Sequence, residues 1–241
     1  YARATVEELL GAEKLAKARL FTATEFRSGV FLSQPDGHYR FEPLPLAAQV
    51  APGQGVVAGD FDGDGRADIF LVQNSYAPIP AVGRFDSGLG QLLSGDGRGH
   101  WTPRSPAESG LLVRGDAKAL VVLDLDRDGW PDFLVSRNNG TTLAFRNGGA
   151  AGRHSFGIRL NGPRGNPTAI GARLTVELAD GSTQTSEVAA GSGYYSQSGA
   201  TEFFGYPDGN APRKITVRWP NGATSAVESP RPDKLLVLTA P

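Results

Sequence analysis

GVVAGDFDGDGRADIFLVQN, residues 55–74, is the stretch on which the reading of this chain turns. Its centre places Asp60, Asp62, Asp64 and Asp68 within nine residues. The flanks, VVAGDF and DIFLV, are rich in β-branched and aromatic residues and read as strands. The pattern recurs in ALVVLDLDRDGWPDFLVSRN, residues 119–138, with Asp124 standing 64 residues after Asp60. A second match lies beside the first: FLSQPDGHYRF (31–41) against LLSGDGRGHW (92–101), with Asp36-Gly37 aligned on Asp96-Gly97 at an offset of 60. Each unit therefore reads as strand, Asp-Gly turn, strand, loop, strand, Asp loop, strand. Four strands in about 62 residues is the make-up of a propeller-type blade. TLAFRNGG (142–149) reads as the first strand of a third unit.

The two loops share one ligand pattern. Asp60, Asp62, Asp64 and Asp68 fall at positions 1, 3, 5 and 9, as do Asp124, Asp126, Asp128 and Asp132, with Gly65 and Gly129 at position 6. Alternate carboxylates converge when the chain wraps around a point, and a glycine permits the sharp turn that wrapping requires. The backbone carbonyl at position 7, from Arg66 or Trp130, is the expected further ligand. Packed carboxylates repel one another unless a cation offsets them. A set of hard oxygen donors suits Ca²⁺, which takes about six to eight of them, better than Mg²⁺, which holds its waters and demands rigid octahedral geometry. Neither loop is an EF-hand, because Leu71 and Val135 stand where a bidentate Glu would be needed. The expectation is two Ca²⁺ ions in a structural role, with Phe61 and Leu125 at position 2 turned toward the core.

Working outward, residues 1–28 form an N-terminal helical segment. Thr5 and Glu8 have the spacing of a capping box ahead of Val6, Leu9, Leu10 and Leu15. This segment is expected to cover an exposed blade face. Residues 29–152 carry the repeats. Residues 153–241 change character: FGIRL, ARLTVEL, QTSEVA, KITVRW and LLVL alternate in polarity between turns at Asn161-Gly162, Asp180-Gly181 and Asn221-Gly222. The fold class is thus all-β: partial propeller-type blades with a short N-terminal helix, then a small β-sandwich-like domain. Repeats of this kind bury their faces only against neighbours, and about three are needed for stability. The missing blades are expected from a longer precursor or a partner chain.

Composition excludes several classes. Twenty-four basic against 25 acidic residues give a net charge of −1, with no nucleic-acid surface. No apolar run approaches the roughly 18 residues of a membrane span. The absence of cysteine removes disulfides, Cys-zinc sites and thiol catalysis, and the absence of methionine fits a processed product or fragment. His38, His100 and His154 are scattered, so no serine has an evident base and no catalytic residues are assigned. Arg114-Gly115-Asp116 spells a recognition tripeptide that chance also produces. The hydroxyl-rich loop Gly191–Ser198 reads either as a ligand contact or as a tight corner whose polar groups satisfy backbone.

The Asp loops resemble FG-GAP/VCBS repeats. AIGARLTVELADGSTQTSEVAAGSGYYSQSG, followed by ITVRWPNGATSAVE, resembles the ASPIC/UnbV domain, and the pairing is similar to the cartilage acidic protein-like family. The resemblance implies a seven-bladed propeller context and a secreted, cell-surface or periplasmic calcium-binding protein with an adhesion or interaction role. Its departure from the family is its small number of blades. The functional expectation is a non-catalytic scaffold for a protein or glycan partner. The alternative is a subunit of a larger exported assembly or enzyme complex.

Overall fold

The computed structural model describes residues 3–241. Two short helices, α1 (Val6–Leu10) and α2 (Ala12–Ala16), open it. The capping box forms: the Thr5 amide donates to the Glu8 carboxylate at 2.6 Å, and the Glu8 amide donates to the Thr5 hydroxyl at 3.2 Å. Gly11, at φ 82° and ψ 144°, breaks the helical path and splits the pair. Neither helix buries a side chain. The expectation that this segment covers a sheet face is therefore wrong. An apolar stripe interrupted after five residues cannot present the continuous face that helix packing requires.

The strands follow in order: β1 (Gly29–Ser33), β2 (Tyr39–Pro43), β3 (Gly53–Gly59), β4 (Asp68–Gln73), β5 (Gln91–Gly95) and β6 (Trp101–Arg104). One helical turn, α3 (Pro106–Ser109), leads to β7 (Asp116–Leu123), β8 (Asp132–Asn138) and β9 (Gly140–Phe145). β1 and β2 form a two-stranded sheet, β3-β4-β5-β6 a four-stranded sheet, and β7-β8-β9 a three-stranded sheet. No closed barrel or propeller forms among the described residues. The strand grouping also corrects the unit read from sequence. Each Asp-loop hairpin joins the hairpin that follows it rather than the one before, and β9 completes the second sheet instead of opening a third unit.

The repeat is real at the level of hydrogen-bond register. Gly59 pairs with Asp68 and Leu123 with Asp132, at the same point of each loop. The irregularity between Gly53 and Val56 recurs between Ala117 and Leu120. The other hairpins match as well: Ser33 faces Tyr39 and Gly95 faces Trp101, each closing a five-residue turn. Structurally, then, Ser33 corresponds to Gly95 and Asp36 to Arg98, two residues off the sequence alignment of the Asp-Gly pairs.

The sheets stack face to face. Ile69, Leu71 and Leu93 pack with Val30 and Leu44 from the β1–β2 side. Phe70 and Val72, pointing the other way, pack with Leu120, Phe133 and Val135 of the second sheet. β4 is buried at every residue, which fits the unbroken apolar run of residues 69–72 at its centre. Gly55 lets β3 and β7 approach, since a Cβ there would lie 2.7 Å from the Leu120 Cβ.

The C-terminal part contains β10 (Arg153–Asn161), β11 (Arg173–Leu178), β12 (Thr183–Glu187), β13 (Thr201–Pro207), β14 (Pro212–Arg218), β15 (Thr224–Glu228) and β16 (Leu235–Thr239). They form two sheets, β13-β10-β16 and β12-β11-β14-β15. A separate core lies between them, including Phe156, Ile158, Leu174, Val176, Ile215 and Trp219. β10 and β16 run parallel; the remaining pairs are antiparallel. No described helix is long and apolar enough to cross a membrane.

Candidate metal centre

Both loops are built by their own carboxylates. In the first, one Asp60 oxygen accepts the N–H of Gly63 at 2.8 Å and of Asp64 at 3.1 Å, while the other accepts Gly65 at 2.7 Å. Asp124 does the same with Asp128 and Gly129, both at 3.1 Å. Position 5 continues the wrap: Asp64 accepts from Arg66 and Asp128 from Trp130, each at 2.9 Å. Gly65 and Gly129 hold φ of 87° and 91°, the left-handed conformation expected at position 6.

Position 9 also fastens each loop to the rest of its sheet. Asp68 accepts the Phe61 amide on one oxygen at 3.1 Å and the Gly95 amide on the other at 2.9 Å. Asp132 accepts Leu125 and Asn147, both at 2.7 Å. This carboxylate ties the start of the loop to the strand or turn two strands on, a fastening role that ligand spacing alone does not reveal.

Asp60, Asp62 and Asp68 bring carboxylate oxygens within 4.8 Å of one another, and Asp124, Asp126 and Asp128 do likewise. Asp64 and Asp132 stand outside these triplets. The donor sets are all carboxylate oxygen, the chemistry a hard divalent cation takes. Burial pushes the Asp60 carboxyl up to about 7 despite the amides of Gly65 and Gly63, with Asp68 and Asp62 adding repulsion. Burial also lifts Asp68 to about 6. Burial is the main cause at both acids and their mutual repulsion the lesser one; a bound cation offsets both.

Some of that charge comes from arginines the sequence reading did not assign. Arg153 of β10 reaches Asp62 at 3.2 Å and Asp64 at 3.7 Å. Arg146 reaches Asp126 at 2.9 Å and holds that carboxyl below its ordinary range. Arg66 itself lies 3.4 Å from Asp64. Only tertiary placement brings Arg153 to the loop, 91 residues away.

The loops also form the seam with the C-terminal sheets. A Cβ on Gly205 of β13 would lie 2.6 Å from the Gly63 Cα and closer still to the Asp60 carboxylate. A Cβ on Gly63 would meet the Trp130 ring at 2.9 Å and the Arg153 Cβ at 3.0 Å. Gly129 abuts Lys234, just before β16. Phe61 is buried as expected, its ring edge-on to Phe133 with centroids 4.9 Å apart. Leu125 is not: it is 43% exposed, because no further sheet of the repeat kind covers the second loop among the described residues.

Other sequence features resolve as structural parts. Asp116 of the Arg-Gly-Asp tripeptide is buried and paired with Lys118 at 2.6 Å. In the Gly191–Ser198 loop, Ser198 accepts the Val122 amide at 3.1 Å and Ser192 accepts the Ser198 amide at 2.7 Å. These are the polar contacts of a corner docked on β7. His100 and His154 pair with Asp96 and Asp208 at 3.0 and 2.7 Å.

No curated protein matches the chain. Residues 162–241 match the family model described as ASPIC and UnbV, so the resemblance read from the sequence holds for the C-terminal domain.

Proposed function

We propose that this chain is a non-catalytic, calcium-stabilised β scaffold that binds a protein or glycan partner outside the cytoplasm, with propeller-type blades of the FG-GAP/VCBS kind ahead of its ASPIC/UnbV domain. The observation that carries the calcium part is that equivalent loops each gather a carboxylate triplet, from positions 1, 3 and 9 in the first and 1, 3 and 5 in the second, with both loops pressed against the C-terminal sheets. Asp60, Asp62 and Asp68 hold one ion and Asp124, Asp126 and Asp128 the other. The carbonyls of Arg66 and Trp130 complete the coordination, and Asp64 and Asp132 support the loops. An ion at each point offsets the repulsion of its clustered acids, of which Asp60 and Asp68 are buried, and locks the seam. In excess calcium each site adds stability that grows with free ion over dissociation constant, about 2.7 kcal/mol at a hundredfold excess. Asp62→Ala with Asp126→Ala is expected to abolish the calcium-induced rise in melting temperature, measured by calorimetry. A full rise in the double variant refutes the ligand assignment.

A second reading, an assembly subunit whose missing blades come from elsewhere, has its own support. Phe31 holds the register position of Leu93: Phe31 faces Phe41 as Leu93 faces Pro103. Leu93 is fully buried by its neighbours, whereas Phe31 is 67% exposed. Tyr39 on the same hairpin is 69% exposed. A preceding sheet of the same kind would cover that face. Light scattering under native conditions separates the readings, with a mass above 25.4 kDa favouring assembly.

A further inference from the structure

A cleft of about 500 Å³ opens where four strand edges meet. β3 and β7 are outermost in their sheets on one side, and β12 and β13 are outermost in theirs on the other. Val56 to Gly59 of β3 and Thr183 to Glu187 of β12 line the cleft as unbroken runs. A strand at a sheet edge turns half of its backbone N–H and C=O groups away from its partner, ready for an added strand. On β7 the Val122 groups are already taken by Ser198 and Gly199, so β3 is the open edge on that side. The charge around the cleft is one-sided. Glu187, Glu202 and Asp60 line it, and no Lys, Arg or His does. Asp60 belongs to the proposed ion site, which leaves the two glutamates for another cation. The Glu202 carboxylate takes a single hydrogen bond, from the Ser186 hydroxyl, and its other oxygen has no protein donor among the described residues.

We infer that this cleft binds an extended peptide segment carrying a Lys or Arg side chain. The backbone pairs with an exposed strand edge, and the cation reaches Glu202 with Glu187 beside it. Main-chain pairing supplies affinity and the side-chain pocket supplies selectivity, as in other β-strand additions. Four residues of β3 span about 13 Å at the rise of a strand, so the segment recognised is about four residues long. A charge-assisted hydrogen bond in a partly buried site is about twice as strong as a neutral one, which makes the cation the main determinant of choice. The inference deepens the partner-binding role proposed above and does not depend on which ion the loops hold.

The test is fluorescence polarisation on calcium-saturated protein with three labelled pentapeptides: Thr-Val-Lys-Val-Thr, the same with Glu for Lys, and the same with Pro for the second Val. Saturable binding of the Lys peptide is expected, weakened about tenfold or more by either change. Glu202→Gln is expected to remove the preference for Lys over Glu while leaving the melting temperature within a few degrees. If that variant does not fold, Glu187→Gln on the exposed rim takes its place and is expected to reduce the preference. Equal binding of the three peptides, or none at millimolar protein, overturns the inference. So does an unchanged preference in the variant that folds. Calcium uptake is read in a separate titration, so failure there leaves the peptide result intact.

Discussion

Phe61 and Leu125 occupy the same position of equivalent loops, yet Phe61 is 6% exposed and Leu125 43%. Their environments set different costs for truncation. Phe61→Ala removes a ring wedged against Phe133 and is expected to cost about 3–5 kcal/mol in urea unfolding. Leu125→Ala is expected to stay within about 0.5 kcal/mol. Glu202 gives a pH signature. Burial raises its carboxyl above the ordinary 4.5, against the Ser186 hydrogen bond. A group with a raised folded value binds its proton better in the native state. It therefore contributes stability that is complete below pH 4.5 and is lost as pH rises through the folded value. Glu202→Gln is expected to flatten that part of the stability–pH curve; an unchanged slope would show that the carboxyl titrates as an exposed group does. The acidic clusters were legible at this scale because Asp at alternate positions with Gly at the turn is a local pattern. Arg146, Arg153 and the fastening role of Asp68 and Asp132 were not, since their contacts close only in the folded chain.

At the scale of elements, Gly205 decides how the first loop meets β13. Gly205→Val is expected to force the two apart, at about 1–3 kcal/mol of overpacking, and to weaken calcium uptake at one site while sparing the other. Two sites weakened equally would mean that the loops do not sense the seam separately. By contrast, deleting residues 3–20 is expected to leave the melting temperature unchanged, because α1 and α2 bury nothing. Most strands announced themselves through apolar alternation, but β13 and β15 did not. TEFFGYP contains the Gly and Pro that read as breakers, and TSAVE buries only small or partly covered side chains. The grouping of strands into sheets was also hidden. A tandem repeat fixes the order of hairpins but not which neighbour each one joins, and that choice is made by the packing of Leu93 and Phe70 on opposite faces.

At the scale of the whole molecule, the repeats and the C-terminal sheets meet at the acidic loops and at the Gly191–Ser198 corner. The repeats bury Phe70 and Phe133, the C-terminal sheets bury Phe156 and Trp219, and Asp60, Gly63 and Gly129 lie at the join. Calcium in those loops would therefore govern the stability of the join as well as of each loop. The most direct test is calorimetric titration of calcium into chelator-stripped protein with melting temperature followed in parallel. Two sites and a melting temperature that climbs with free calcium are expected. No heat of binding and an unchanged melting temperature would contradict this, leaving the Asp loops as turns held together by their own hydrogen bonds.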